Sequence, residues 1–208
     1  MSRVAGLLLA AGMSTRLGRP KQLLPFRGRT LLRHAAETGL AAGLEPLIVV
    51  IGAEADAMHR ELTGLPVVVV ENPRYAEGQS TSLRAGLAAL PADAAAVVAL
   101  LVDMPGVDAP LIQALVAAWQ ASGAPIVRPV HAGRPGNPVL FAARLLPELA
   151  QAEGDEGGRA VLRAHAAEVQ LLPVESPGVL QDVDTWEAYG ALVAGEAGAA
   201  PAVKPPGR

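Results

Sequence analysis

Val4-Ala-Gly-Leu-Leu-Leu-Ala-Ala-Gly-Met-Ser-Thr-Arg-Leu-Gly-Arg-Pro-Lys21 decides the reading of this chain. Its first half is a short, unbroken apolar run. Such a run suits a strand buried on both faces, as in a parallel sheet. Its second half turns abruptly to Gly, Ser, Thr and cations. In open α/β sheets ligands sit beyond the carboxyl ends of strands, and the loop after the first strand is a common phosphate site. Gly12 and Gly18 permit a tight backbone and close approach of N–H groups to an anion. Ser14 and Thr15 bring hydroxyls, while Arg16, Arg19 and Lys21 bring charge. The spacing is neither a Walker loop nor the dinucleotide G-x-G-x-x-G.

Further apolar runs follow at Leu47–Ile51, Val67–Val70 and Val97–Val102. Between them lie segments with helical spacing: Thr30–Ala42, Glu54–Leu62, Thr81–Leu90 and Asp108–Ala121. Strand alternating with helix is the pattern of an α/β domain with right-handed crossovers. After Pro125 the pattern changes. Strands are expected at Pro125–His131 and Asn137–Phe141, helices at Ala143–Gln151 and Gly158–His165, then a strand at Val169–Val174 and a helix at Thr185–Ala194. One domain is expected over 1–194. The Gly/Ala/Pro-rich stretch 195–208 has no apolar period and is expected to be disordered.

Composition narrows the chemistry. The 208 residues contain no cysteine, which excludes disulfides, Cys-ligated metal and a thiol nucleophile. Seventeen basic against 20 acidic residues leave no basic footprint for nucleic acid. The apolar runs fall well short of the ~20 residues that span a bilayer, and the first leads into a loop, not a cleavage site. A cytoplasmic protein is expected. Of the basic residues only Lys21 and Lys204 are lysines, and Lys204 lies in the Pro-rich tail. A lone lysine in an arginine-rich body suits a point contact with phosphate better than a bidentate fork.

Asp103 follows an apolar strand and precedes Met104-Pro105, so it is expected at the ligand end of the sheet. Hard carboxylate oxygens suit Mg²⁺. Asp182 and Asp184 bracket Val183 ahead of the last helix, and spacing does not choose between them as a second carboxylate. Gly78–Leu83 reads as a loop entering a helix N-terminus, where free N–H groups and the hydroxyls of Ser80, Thr81 and Ser82 could meet a nucleoside; Arg84 reads as a solvated helix residue. The four histidines, His34, His59, His131 and His165, have no metal-ligand spacing.

Leu9-Ala10-Ala11-Gly12-x-Ser14-x-Arg16-x-Gly18-x-Pro20-Lys21 resembles the signature of the nucleotidyltransferases that activate molybdenum cofactor, and within them the cytidylyltransferase branch. Ala11 and Pro20 stand where the related guanylyltransferases usually have Gly and Asp. Asn72-Pro73, Gly78–Leu83, Leu101–Pro105, Gly133–Phe141, Gly154-Asp155-x-Gly157-x-Arg159 and Asp182–Thr185 extend the likeness over most of the chain. It departs at Asn137, where the branch often has His, and at Gly-Arg-Pro-Gly in place of Gly-Arg-Arg-Gly.

The resemblance implies a three-layer α-β-α, Rossmann-like fold with a mostly parallel sheet. It implies an enzyme that moves CMP from CTP to the phosphate of molybdopterin, with Mg²⁺ (or Mn²⁺) as metal and a molybdenum hydroxylase or its maturation proteins as partners. Arg16, Lys21 and Asp103 would be catalytic. Leu9, Ala10, Ala11, Gly12, Ser14, Gly18, Ser80 and Ser82 would hold the nucleotide. Arg134 and Asn137, with Asp155 and Arg159, would hold the acceptor. Asp103 and Asp184, with Asp182 beside them, would hold metal; the matching Asp-Thr favours Asp184. Two other readings are a transferase using GTP or another acceptor, such as a sugar phosphate or a phospholipid-like precursor, and a non-catalytic accessory protein that delivers the cofactor to a hydroxylase.

Overall fold

The computed structural model describes residues 3–154 and 156–195. Asp155 and most of the stretch 195–208 therefore lie outside the described residues; Gly195 ends the last helix.

The strands are β1 (Val4–Leu9), β2 (Pro25–Phe26), β3 (Arg29–Thr30), β4 (Leu47–Ile51), β5 (Val67–Glu71), β6 (Ala96–Leu101), β7 (Ile126–His131), β8 (Arg134–Pro135), β9 (Val139–Ala142) and β10 (Val169–Pro173). The helices are α1 (Leu31–Ala41), α2 (Ala55–Leu62), α3 (Gln79–Ala88), α4 (Ala109–Ser122), α5 (Leu146–Leu149), α6 (Arg159–Ala164) and α7 (Trp186–Gly195). The main sheet runs β10-β7-β9-β6-β1-β4-β5, with β8 paired to β7. β1 lies parallel to both β4 and β6, whereas β9 runs antiparallel to β6 and β7. The sheet is thus mostly parallel, with helices on both faces.

Period-2 alternation sorts the core. Leu8, Leu47, Val49, Val98 and Leu100 face α1, α2 and α4 through Leu32, Met58 and Ile112. Leu7, Ile48, Val50 and Val97 face the other layer through Leu83, Leu149 and Val161. Thr30 opens α1 by accepting from the Arg33 N–H, and Asp108 opens α4 by accepting from the Leu111 N–H; each such cap contributes about 1 kcal/mol.

Three local expectations need correction. Val67–Val70 reads as a doubly buried strand, but β5 is the sheet's edge and Val68 is 45% exposed, because no strand covers its far side. Ala143–Gln151 reads as one helix, but a 3-10 turn at Ala143–Leu145 precedes the short α5. Pro147 lacks an N–H and fits only a helix's first turn, so α5 restarts at Leu146. The β2–β3 hairpin, too short for an apolar period, was not anticipated. Among the described residues no helix is long and apolar enough to cross a membrane.

Candidate active site

The chain leaves β1 toward β4 on one side and later adds β6 on the other, so the ends of β1 and β6 form a topological switch point. Ligands bind open α/β sheets at that crevice. A cleft of about 390 Å³ opens there. Its walls include Leu9, Ala11, Gly12 and Met13 after β1, Lys21 and Gln22, Asp103 after β6, and Asp182 and Asp184.

The β1 loop is held from several directions. Gly18 has φ +65, a left-handed conformation that costs glycine nothing. Leu17 is buried with Leu24, Phe26, Val183 and Tyr189 in a small third core. The Trp186 indole N–H donates to the Leu17 carbonyl at 3.2 Å, and the Tyr189 hydroxyl donates to the Pro25 carbonyl at 2.7 Å. α7 therefore braces the loop from outside the sheet. Lys21–Leu23 forms one 3-10 turn, with Lys21 lining the cleft and the Gln22 side chain fully buried.

At the centre, Lys21 Nζ lies 2.5 Å from Asp103 Oδ2 and 2.5 Å from Asp184 Oδ1. Arg16 adds a 3.1 Å contact to Asp184 Oδ2. Burial pushes the Lys21 ammonium's pKa down, but Asp103 and Asp184 outweigh it and hold it above the ordinary lysine value. The hydrogen bond from Lys21 depresses the Asp184 carboxyl below the usual range against partial burial, with Arg16 helping. Asp184 arrives through a close backbone contact. A Cβ on Gly106 would lie 2.7 Å from Gly178 Cα, so only glycine lets these segments touch. The Val183 N–H then donates to the Asp103 carbonyl at 2.8 Å.

The fit of a divalent metal can be judged from these groups. Two carboxylates already share one cation, and Asp182 lines the same cleft. Among the described residues no cluster of three His, Cys, Asp or Glu side chains forms a closed metal site. Mg²⁺ asks for less: one or two carboxylates, with waters and substrate phosphates completing the shell. Asp103 and Asp184 meet that requirement.

At the start of α3, Asn72 is buried and its amide donates to Thr81 Oγ1 at 2.8 Å and to Ser82 Oγ at 2.9 Å. Ser82 lines the cleft, and accepting from Asn72 leaves its hydroxyl proton for an acceptor there. Beyond Gln79 and Arg159 the cleft continues into a lobe of about 120 Å³, walled by Leu83, Val139, Phe141 and Leu149, with Asn137 at its edge.

Leu9, Ala11, Gly12, Lys21, Ser82, Asp103, Asp182 and Asp184 thus meet in one cleft, with Arg16 reaching in. Ala10 and Gly18 serve as backbone of the loop. Ser14 turns inward: its hydroxyl accepts from the Lys21 N–H at 3.0 Å and donates to Gln22 Oε1 at 3.4 Å. Ser80 and Arg134 are not brought in. The Ser80 hydroxyl is buried, without a partner among the described residues. Arg134 is exposed on β8, paired with His131 in a hairpin on β7. Arg84, read as solvated, donates to the Ala152 carbonyl at 3.1 Å and ties α3 to the segment before α6. Sequence reasoning did not assign a role to Gln22, Tyr75 or Gln79, all in the cleft wall; the signal for Gln22 was a polar residue set directly after the lone lysine.

Residues 6–169 match the MobA-like NTP transferase domain. The chain belongs to that family. Relatives of these MobA-like enzymes carry different names. Nicotine blue oxidoreductase of Paenarthrobacter nicotinovorans is 37% identical over 88% of this chain and 93% of its own. Molybdenum cofactor cytidylyltransferase of Escherichia coli K12 is 26% identical over 91% of this chain and 95% of its own. The crystal structure of Rv0371c from Mycobacterium tuberculosis superposes with a TM-score of 0.83 at 32% identity, covering 93% of this chain and 98% of that one. That protein has also been crystallised in complex with manganese. The MobA-like chain is a nucleotidyltransferase with the α/β fold of that family.

Proposed function

We propose that this nucleotidyltransferase transfers CMP from CTP to the terminal phosphate of molybdopterin, releasing pyrophosphate. The observation that carries the reading is the Lys21–Asp103–Asp184 constellation beneath the β1 loop: a compact ammonium, suited to a point contact with phosphate, set between two metal-competent carboxylates. Cytidine and molybdopterin are supported by the loop's cytidylyltransferase-like residues, Ala11 and Pro20, and by the Escherichia coli relative's name.

In this reading the N–H groups of the β1 loop and Arg16 hold the β- and γ-phosphates. The acceptor phosphate oxygen attacks the α-phosphorus in line, its new P–O bond forming as the bond to pyrophosphate breaks. Lys21 stands where negative charge grows on the leaving group. The work is positioning and charge neutralisation, so no covalent intermediate on the chain is needed. Mg²⁺ or Mn²⁺, held by Asp103 and Asp184 with Asp182 beside them, would supply further neutralisation of phosphate charge. Arg159 lines both cleft and lobe, and in this reading it meets the acceptor's anionic group. A cytoplasmic setting and a molybdenum hydroxylase as recipient of the product complete the proposal.

The relative named an oxidoreductase supplies a competing reading. The cleft's cations and carboxylates favour phosphoryl chemistry, and the β1 loop lacks the G-x-G-x-x-G spacing of dinucleotide binders. The deciding experiment incubates purified protein with Mg²⁺, molybdopterin and each of four nucleoside triphosphates, scoring pyrophosphate. A parallel arm offers nicotine blue and a reduced nicotinamide. Pyrophosphate with CTP alone is expected; reduction of the dye without pyrophosphate would overturn the proposal.

A further inference from the structure

Gln22 is a fully buried polar side chain immediately beneath the cleft. Its amide nitrogen donates twice, to the Ala10 carbonyl at 2.7 Å and to the Gly12 carbonyl at 2.8 Å. Its amide oxygen accepts from the Ser14 hydroxyl, which also accepts from the Lys21 N–H. Carbonyls only accept, so the orientation of this amide is dictated by its partners. One side chain therefore ties together residues 10, 12, 14 and 21, the span of the loop.

The consequence is electrostatic. A peptide loop presents carbonyl oxygens as readily as N–H groups, and a carbonyl facing a triphosphate repels it. Drawing the Ala10 and Gly12 carbonyls down onto Gln22 keeps negative ends of two peptide dipoles off the anion's side. Among the described residues, no backbone carbonyl accepts from the N–H groups of Ala11, Gly12, Met13 or Ser14. These are the donors a phosphate chain would meet. Ser14 has φ +53, a conformation uncommon for a side chain larger than glycine, and the bonds to Gln22 and Lys21 hold it there.

We infer that Gln22 is a positioning residue that sets the β1 loop for triphosphate by sequestering its carbonyls. This rests on the nucleotidyl-transfer reading above. Gln22 touches no reacting atom; it acts through the loop.

The test is Gln22→Met, which keeps the volume and removes the amide. Expected is a rise of about 10–100-fold in KM and in Kd for CTP, the scale seen when groups that orient binding residues are lost. The KM for acceptor stays unchanged, and kcat falls less than KM rises. Affinity for inorganic tripolyphosphate, which has no base or ribose, falls in parallel. A merely structural residue would lower the melting temperature and leave this split unmoved. CTP and tripolyphosphate affinities within twofold of wild type in folded Gln22→Met overturn the inference alone. Wild-type protein that binds no triphosphate overturns both it and the nucleotidyl-transfer reading. Should Gln22→Met fail to fold, Ser14→Ala decides. A severalfold loss of triphosphate affinity with unchanged acceptor KM supports the inference, and no change in either overturns it.

Discussion

The two halves of the cleft are built from opposite materials. The half at the end of β1 is ionic: Lys21 bridges Asp103 and Asp184, Arg16 pairs with Asp184, and the Gln22 amide bonds the loop's carbonyls. The half beneath β9 is mostly aliphatic and aromatic, with Gln79, Asn137, Glu156 and Arg159 as the polar side chains of its lining. The ionic half is held by directed bonds that a single substitution can unmake without emptying the core. The apolar half is core surface that happens to face a cavity. The same substitution to alanine should therefore read out as lost catalysis in one half and lost stability in the other.

The largest effect is expected in the apolar half. Phe141 is 2% exposed, and Phe141→Ala should cost about 3–5 kcal/mol in denaturant unfolding. A loss below 1 kcal/mol would mean the lobe is not continuous with the core. Next comes Lys21→Ala, expected to lower turnover by about 10²–10³-fold, as when one preorganised charge-stabilising donor is lost. Its circular dichroism should be unaltered. Near-normal turnover would remove Lys21 from the chemistry. Arg159→Ala, at the seam of the two halves, should raise the acceptor KM by roughly tenfold, equivalent to about 1.4 kcal/mol. Arg134→Ala should leave it within twofold; a reversed order would move the acceptor site out to the β7–β8 hairpin.

The smallest effect is a pH dependence in the ionic half. The Asp184 carboxyl is held below its unfolded value, so its stabilisation is fully present above about pH 3.9 and is lost as pH falls through the depressed folded value. Urea midpoints of wild type and Asp184→Asn should therefore converge on acidification below that point. Parallel curves would show that Asp184 does not contribute through its charge.

The fold was legible because periodicity is a local signal. The apolar runs Val4–Ala11, Leu47–Ile51 and Val97–Val102 announce themselves as buried strands, and the place of the loop holding Gly12 and Gly18 follows from the first. What was not legible is long-range. No local pattern says that β9 inserts antiparallel between β6 and β7, or that Val67–Glu71 lies at an edge. Asp184 could not be separated from Asp182 by spacing; in the fold both line the cleft, and Lys21, 163 residues away in sequence, contacts Asp184. Ser80 and Ser82 look alike in sequence. Helical rotation buries the Ser80 hydroxyl without a partner among the described residues and puts Ser82 against Asn72 and the cleft. Arg134 reads as an acceptor residue through the resemblance alone, and it lies exposed on β8 rather than in the lining of the cleft or its lobe.

The Gly106–Gly178 contact bears on how the molecule comes into being. Lys21 is synthesised early and Asp103 midway, but the segment carrying Asp184 docks only after about seven-eighths of the chain exists. Contacts between such distant positions form slowly, since loop closure precedes their reward. The ionic centre is complete only when the segment carrying Asp184 lies against the end of β6. During refolding, helical signal should return no later than nucleotide affinity, because the helices form from local contacts while the cleft needs this long-range one.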